Sequence, residues 1–505
     1  MSVIELTTEG RVAVITVENP PVNALSHAVR AGLMACLQQI ADDENLDAAV
    51  LCCAGRTFIA GADIREFGAP PQEPFLPDVV LALDGFPKPL VAALHGTALG
   101  GGLEVAMGCH YRLAADSALL GLPEVNLGLL PGAGGTQMLP RLIGVESALD
   151  MMLSGKPISA RMAHTAGLVD EVVATSRLSP DAVAFARKVC GRPLPRSSER
   201  RVPAINTDVF DARRARIAAK SRALIAPRKI IDCVEKAVTS TLVKGMAFER
   251  EAFLECHASS QSRALRHAFL AERIAVKVPG IDPETRSRPV EQVVVLGAGT
   301  MGAGIAYSCL SAGYKVRLLD SNVEAVARGG KIVRELVENG IERGKLGESQ
   351  ARDMLQVFES HSDTAAVADA QLVIEAVFEN MTIKQEVFAH LGQHCQAGAI
   401  LATNTSTLDI DAIAAASGRA RDVIGLHFFS PAHIMRLIEI VRGRETSDEV
   451  IASSAAFAKG LKKLGVVVGN CYGFVGNRML YAYGRENQLM LLEGAPPEHI
   501  DHVLE

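Results

Sequence analysis

Tryptophan is absent from the sequence, and the aromatic residues together make up 4% of it. An excess of basic charge is missing too: 51 Lys and Arg stand against 57 Asp and Glu, a formal net charge of -6. That balance gives no reason to expect nucleic acid or an anionic membrane surface as partner. Any phosphate on a substrate must then be met by local basic groups or backbone N–H clusters. No apolar run is long enough, free of charge, glycine or proline, to span a bilayer. The N-terminus MSVIELTTEGRVAVITVENPP has early acidic residues and lacks the basic-then-apolar order of a secretory signal. Ten cysteines are scattered, Cys52 and Cys53 being the only adjacent pair, and no Cys/His spacing suggests zinc. The pattern argues against a disulfide framework and for reduced thiols inside a cell.

What is present is a chain of 505 residues, 49% of them hydrophobic, which is enough for two to four domains. Residues 1–194 mix short β-type runs (Val12–Val17, Ala48–Cys53, Leu90–Leu94) with glycine-rich turns and helical stretches. Residues 195–288 are rich in Arg, Ala, Glu and Leu, as in DARRARIAAKSRALIA and RALRHAFLAERIAVK. Apolar residues recur there at helical spacing, which predicts long amphipathic helices packed on a neighbour. The run PGIDPETRSRP, with three prolines among polar and charged residues, reads as a linker.

Residues 289–471 read as strand, turn, helix, strand: Val293–Leu296, a helix over Gly299–Gly313, then Lys315–Asp320. Further strands are predicted at Gln371–Glu375, Ala399–Thr403, Val423–His427 and Leu437–Val441, with helices between several of them. Such alternation predicts a mostly parallel, doubly wound sheet. From Tyr472 to residue 505 the pattern turns helical again.

The stretch HGTALGGGLEVAMGCHYRLAADSALLGLPEVNLGLLPGAGG is the most informative of the first part. Gly100 to Gly102 precede a helix predicted to begin near Leu103, and N–H groups at a helix start can hold a developing oxyanion. Glu104 lies in an otherwise apolar helix start, and Glu124 in a loop bounded by Gly121 and Pro123. A buried carboxylate needs a reason, because burial without a partner costs several kcal/mol, roughly. Upstream, TFIAGADIREF puts Ala60, Gly61 and Ala62 in a small-residue turn that could supply a second donor. Taken alone, the same residues also fit a structural turn with Glu104 capping its own helix.

FIAGADI, ALGGGLEVAMGCHYRLA and GLPEVNLGLLPGAGGTQ, in that order, are similar to the crotonase (enoyl-CoA hydratase/isomerase) family, most of all to its branch fused to a dehydrogenase. The resemblance implies an oxyanion hole at the N–H groups of Ala62 and Gly101, and two catalytic carboxylates, Glu104 and Glu124. It assigns water activation to Glu104 and the Cα proton to Glu124, with double-bond isomerisation open to the same site.

In the second part, VVVLGAGTMGAGIA contains G-x-G-x-x-G as Gly297, Gly299 and Gly302, after a predicted strand and opening a predicted helix. Thr300 and Met301 stand within that turn. Asp320 ends the next strand, where it would bind the ribose hydroxyls and repel a 2′-phosphate, so NAD is expected over NADP. His427 ends one strand of GLHFFSPAHIMRLIEIV, and Glu439 follows twelve residues later. A histidine there can be purely structural. With a carboxylate brought alongside by the returning strand, it suits proton removal from a secondary alcohol.

GAGTMGAGIA, VIEAVFENMTIKQEVF, LATNTSTL, GLHFFSPAHIMRLIEIV and GFVGNR resemble the 3-hydroxyacyl-CoA dehydrogenases. The resemblance implies His427 as base with Glu439 as its partner, Ser406 and Asn477 on the substrate oxygen, and Glu379, Lys384 and Asn404 on the cofactor side. Glu379 and Lys384 could equally be a solvated helix pair. The family continues after GFVGNR with a full helical domain, so residues 472–505 are expected to be only its beginning, and the dehydrogenase to be poorly held.

The expected architecture is therefore α/β: a crotonase-like spiral domain, a helical linker packed on it, a Rossmann doubly wound parallel sheet and a partial α-helical C-terminal domain. The expected activities are hydration of 2-trans-enoyl-CoA and NAD-dependent oxidation of the 3-hydroxyacyl-CoA product in fatty-acid β-oxidation. One rival is a hydratase or isomerase whose second half only binds NAD; another is a non-catalytic subunit of a β-oxidation complex. No metal is expected, acyl-CoA thioesters are the expected partners, and a monomer or weak dimer the expected state. The bacterial cytoplasm is the expected compartment, with the peroxisome second.

Overall fold

Val12–Val17 is apolar at all but one position, the pattern of a strand covered on both faces. It is the second strand of a six-stranded sheet in a computed structural model that describes residues 3–504 except 64, 65, 67–69, 71, 221–223, 279 and 283. The strands of the first half are β1 (Ile4–Glu9), β2 (Val12–Val17), β3 (Ala48–Cys53), β4 (Leu90–Leu94), β5 (Thr97–Leu99), β6 (Tyr111–Ala115), β7 (Leu119–Gly121), β8 (Ile158–Ser159) and β9 (Glu171–Val173). The large sheet runs β1-β2-β3-β4-β6-β9, and only the β1–β2 hairpin is antiparallel. A small sheet, β5-β7-β8, stands apart from it.

The chain leaves β5 into the wholly buried helix Gly101–Gly108. That helix starts two residues before the Leu103 expected from sequence. Gly100 takes φ +54° as its cap, and the Gly100 carbonyl accepts from both Leu103 and Glu104. Such a left-handed entry suits glycine and strains other residues. Farther on, the helices Asp208–Lys220, Ile225–Thr239, Leu242–Ala258 and Ser260–Ala275 follow one another. Leu242, Met246, Ala252 and Cys256 form the buried stripe of the third, at the spacing of one helix face. The compact units of the chain are Met1–Phe269 and Leu270–Glu505, so most of this helical segment belongs to the first.

The second unit holds β10 (Gln292–Leu296), β11 (Lys315–Leu319), β12 (Phe358–His361), β13 (Leu372–Glu375), β14 (Ile400–Thr403), β15 (Val423–Phe428), β16 (Leu437–Arg442) and β17 (Leu464–Gly469). Their order is β12-β11-β10-β13-β14-β15-β16-β17, parallel throughout except between β15 and β16. Val293 and Val295 pack with the helices Thr300–Ser311 and Val323–Glu342, while Val294 and Leu296 pack with Met381–His394 and Ile410–Ala416. Alternate residues thus feed two cores, as a doubly wound sheet requires. Strand order reverses between β10 and β13, which opens the crevice where such sheets bind ligands. The last helices, Gly476–Leu492 and Pro497–Leu504, bury none of their residues. No helix among the described residues is long and apolar enough to cross a membrane.

Candidate active sites, one in each unit

Glu104 sits on the buried helix Gly101–Gly108 with 2% of its surface exposed. Its Oε1 accepts from the N–H groups of Ala133 and Gly135, both at 2.8 Å. These donors stand at the start of the helix Gly135–Ile143, where N–H groups have no partner within the helix. Burial pushes the Glu104 carboxyl above its ordinary value, and the two backbone bonds pull it part of the way back. Glu124 opens the short turn Glu124–Leu127 and lacks such support. Its Oε2 is buried without a hydrogen-bond partner among the described residues. Burial first, and then the charge of Glu104, drive its carboxyl well above the ordinary range.

The glycine turn lies against the same carboxylate. A Cβ placed on Gly100 would come 2.9 Å from Glu124 Oε1, and one on Gly101 would stand 3.5 Å from the Ala62 nitrogen. Ala62 is held in an isolated parallel bridge to Leu25. Ala62, Gly101, Glu104 and Glu124 are therefore gathered at one place.

A third acid, absent from the sequence-based set, joins them. Glu249, on the helix Leu242–Ala258, is 1% exposed. Its Oε1 accepts from Gly134 N–H at 2.6 Å, and its Oε2 from Thr136 N–H at 2.8 Å and from the Thr136 hydroxyl. Burial and then the charge of Glu104 raise its carboxyl as well. The signal was present in the sequence: Glu249 occupies a core position of an amphipathic helix, in line with Leu242, Met246 and Cys256.

Three buried carboxyls, each with a raised proton affinity, make a stability prediction with a definite sign. In the unfolded chain they ionise near the ordinary ~4.3, whereas in the fold they hold their protons to higher pH. Their contribution is fully present below the unfolded value and is lost as pH rises through the folded ones. The melting temperature of the first unit should fall between about pH 5 and pH 8, and Glu104→Gln should flatten that fall. Calorimetric scans across this window check it; a melting temperature that rises with pH, traced to these residues, would refute it.

In the second unit, the antiparallel pairing of β15 and β16 sets His427 directly opposite Glu439. His427 Nδ1 lies 2.7 Å from Glu439 Oε2, and the residues are only 4% and 2% exposed. The other oxygen, Oε1, accepts from Val475 N–H at 3.0 Å and Gly476 N–H at 2.8 Å, at the start of the helix Gly476–Leu492. Burial pushes the Glu439 carboxyl up, but the bonds from His427, Gly476 and Val475 outweigh it and hold it below its ordinary value. Asn477, on the same helix turn, donates to the Ser406 carbonyl at 3.3 Å. Asn404 Oδ1 accepts from Phe428 N–H, the residue after His427. Ser406, Asn477, Asn404, His427 and Glu439 are thus brought together.

Glu379 reaches the same loop. Its Oε1 accepts from the Thr405 hydroxyl at 2.6 Å and from Ser406 N–H at 2.8 Å. Lys384 is anchored beside Glu379. It is 1% exposed, and its Nζ donates to the buried Glu375 at 2.6 Å while standing 3.4 Å from Glu379. The helix Met381–His394 turns Lys384 toward the end of β13, so it is not part of a solvated helix pair. Its ammonium holds Glu375, which also accepts from Val377 N–H and the Thr403 hydroxyl.

The turn between β10 and the helix Thr300–Ser311 has the form of a phosphate cradle. A Cβ on Gly302 would fall 1.8 Å from the Gly297 carbonyl oxygen, so only glycine lets helix and strand close up. Around Gly299, the cap of that helix, nothing would meet a Cβ within 4 Å, which leaves the helix start open above Thr300 and Met301. Asp320 stands at the end of β11, its Oδ2 accepting from Ala298 N–H at 2.9 Å. These residues fit a dinucleotide.

Comparison with known proteins agrees with both geometries. Residues 7–198 match the family model for enoyl-CoA hydratase/isomerase, and residues 292–471 that for the NAD-binding domain of 3-hydroxyacyl-CoA dehydrogenase. The peroxisomal bifunctional enzyme of Cavia porcellus is 42% identical, over 98% of this chain and 69% of that protein. The human peroxisomal bifunctional enzyme gives the same three figures. A peroxisomal fatty acid β-oxidation multifunctional protein of Oryza sativa subsp. japonica is 38% identical, over 99% of this chain and 71% of that protein. The chain belongs to the family of bifunctional β-oxidation enzymes, which join an enoyl-CoA hydratase/isomerase domain to an NAD-binding 3-hydroxyacyl-CoA dehydrogenase domain.

Proposed function

We propose that the first unit hydrates 2-trans-enoyl-CoA through Glu104 and Glu124, and that the second oxidises the 3-hydroxyacyl-CoA product through His427 and Glu439. The observation that carries the hydratase reading is the unequal support of two neighbouring acids. Glu104 has two N–H donors, whereas Glu124 has a buried oxygen with none. Such a pair separates into base and acid at neutral pH. Ionised Glu104 takes a proton from water, whose oxygen adds to Cβ, and protonated Glu124 delivers its proton to Cα. The N–H groups of Ala62 and Gly101 receive the charge that develops on the thioester oxygen. Movement of a proton by Glu124 is also the step that a double-bond isomerase needs.

In the second unit His427 takes the hydroxyl proton, and Glu439 balances the imidazolium that forms. Ser406 and Asn477 hold the substrate oxygen, and Glu379 with Asn404 orders the loop on the cofactor side. Lys384 belongs to the same cofactor side, where it also fixes Glu375 and Glu379. Gly297, Gly299, Thr300, Met301, Gly302 and Asp320 hold NAD, which when bound supplies the acceptor for hydride. Residues 195–288 are proposed to serve the hydratase part, residues 289–471 to form the NAD-binding domain, and residues 472–505 to begin the dehydrogenase helical domain. The relatives' names are peroxisomal and glyoxysomal, which supports the peroxisome and lends nothing to the bacterial cytoplasm expected from sequence.

The direct test is a paired assay on the full chain: hydration of a short 2-enoyl-CoA, and reduction of NAD with 3-hydroxybutyryl-CoA. Hydration with no oxidation would favour the reading in which the second half only binds NAD. A narrower test concerns the ribose contact. Asp320→Ala should weaken NAD binding by about tenfold or more, in line with the ~1.5–3 kcal/mol of a hydrogen bond to a charged group. Asp320→Asn, which retains an acceptor for Ala298 N–H, should mainly reduce the discrimination against NADP. Calorimetric titration with both nucleotides reads this out, and unchanged NAD affinity in Asp320→Ala would remove Asp320 from the site.

A further inference from the structure

Four consecutive residues at the start of the helix Gly135–Ile143 divide their N–H groups between two carboxylates. Ala133 and Gly135 donate to Glu104, while Gly134 and Thr136 donate to Glu249. The two acids come from different segments, one from the buried helix Gly101–Gly108 and the other from Leu242–Ala258. We propose that Glu249 is a positioning residue of the hydratase site, fixing by its bonds to Gly134 and Thr136 the turn whose alternate N–H groups hold Glu104. This rests on the reading of Glu104 and Glu124 as the hydratase carboxylates.

A helix start needs no anion. Neutral Ser, Thr or Asn caps satisfy the same donors, and a third carboxyl buried beside two others is an unfavourable choice for stability alone. The titratable groups that face Glu249 are Glu104, Glu124 and the Cys233 thiol on the helix Ile225–Thr239. Two of them are the proposed acid and base. The helical segment touches the other acid's support as well, since the Ser262 hydroxyl donates to the Leu127 carbonyl at 2.9 Å, at the end of the turn that Glu124 opens. Movement of the Gly134–Thr136 turn would carry the Ala133 and Gly135 donors away from Glu104, and misplacement of about 1 Å is enough to reduce a rate strongly.

The test compares Glu249→Gln and Glu249→Asp in the full chain, with hydration of a short 2-enoyl-CoA read as kcat, KM and pH profile. In Glu249→Gln, kcat should fall about ten- to a hundredfold while KM stays within about threefold. Above the pH at which Glu249 ionises, raised to about 8 by its burial and by Glu104, Gln also removes one negative charge from the cluster, so the alkaline limb of the profile should move to lower pH. Glu249→Asp keeps the charge but withdraws the oxygens, so it should lose part of kcat and leave that limb where it was. A folded Glu249→Gln variant with kcat within threefold of wild type and both limbs unmoved would overturn the proposal. So would a loss of kcat in both variants that follows their melting temperatures with neither limb displaced, the mark of a purely structural residue. If Glu249→Gln gives no folded first unit, Glu249→Asp decides: reduced kcat at retained KM upholds the proposal, and wild-type kcat overturns it. Failure of the underlying reading shows separately, as a wild-type chain that hydrates no enoyl-CoA.

Discussion

Glu124→Gln lowers hydration of a short 2-enoyl-CoA at least a hundredfold, about the low end for losing a general acid, and leaves NAD binding unchanged. The amide has nearly the shape of the carboxyl, so the turn Glu124–Leu127 and the packing around Gly100 should survive. What disappears is a transferable proton. Glu104 cannot replace it, because its Oε1 is committed to Ala133 and Gly135, and it is needed ionised for the water. The variant should also be more stable than wild type at alkaline pH, since it lacks a buried oxygen that must ionise without a partner. Rates measured alongside calorimetric NAD titration make the check. Hydration within a few-fold of wild type would remove Glu124 from the mechanism, and lost NAD binding would mean that the substitution had damaged more than the first unit.

The second large effect belongs to the dyad. His427→Gln should reduce oxidation of 3-hydroxybutyryl-CoA by about 10²–10⁴-fold, the span expected for loss of a positioned general base. Hydration should be untouched. Glu439→Gln should give a smaller loss, because the imidazole stays in place while the charge that balances its protonated form is gone. Glu439 Oε1 already accepts from Val475 and Gly476, so an amide oxygen placed there would keep the helix start bonded and turn an N–H₂ group toward His427. That arrangement favours the wrong tautomer of the ring. Steady-state rates for both reactions in the same preparations separate the halves. Equal oxidation by His427→Gln and wild type would exclude His427 as the base.

The strands that the sequence displayed most clearly are those whose residues are buried on both faces. Val12–Val17, Ala48–Cys53 and Leu90–Leu94 have these bounds in the fold, and the helix expected over Gly299–Gly313 spans Thr300–Ser311. β5, β7 and β8 were not legible, because two or three residues carry no periodicity, and their pairing is decided by contacts distant in sequence. The antiparallel step between β15 and β16 was read as a returning strand beside His427, but its residue-by-residue register was not legible. Spacing alone tells how many residues separate His427 from Glu439, whereas the register of the return is set by the sheet. Motif order singled out Glu104, Glu124, His427 and Glu439, which stand on a helix start, a short turn and two strands, each with distinctive neighbours. Glu249 escaped because FEREAFLE has three glutamates, Glu249, Glu251 and Glu255, and only the line of Leu242, Met246 and Cys256, which no motif pointed to, marks the first as facing inward. The burial of Lys384 was hidden for a related reason. A lysine one turn into a helix looks solvated, and only the depth of Glu375 at the end of β13 explains where its ammonium goes.

Glu439 divides its two oxygens between a ring nitrogen and the start of the helix Gly476–Leu492, so one carboxylate fastens two separate parts of the site. Asn477 rides on that helix one residue after Gly476. The residue proposed to hold the substrate oxygen is therefore fastened by the same carboxylate as the proposed base, so a substitution at Glu439 disturbs both at once.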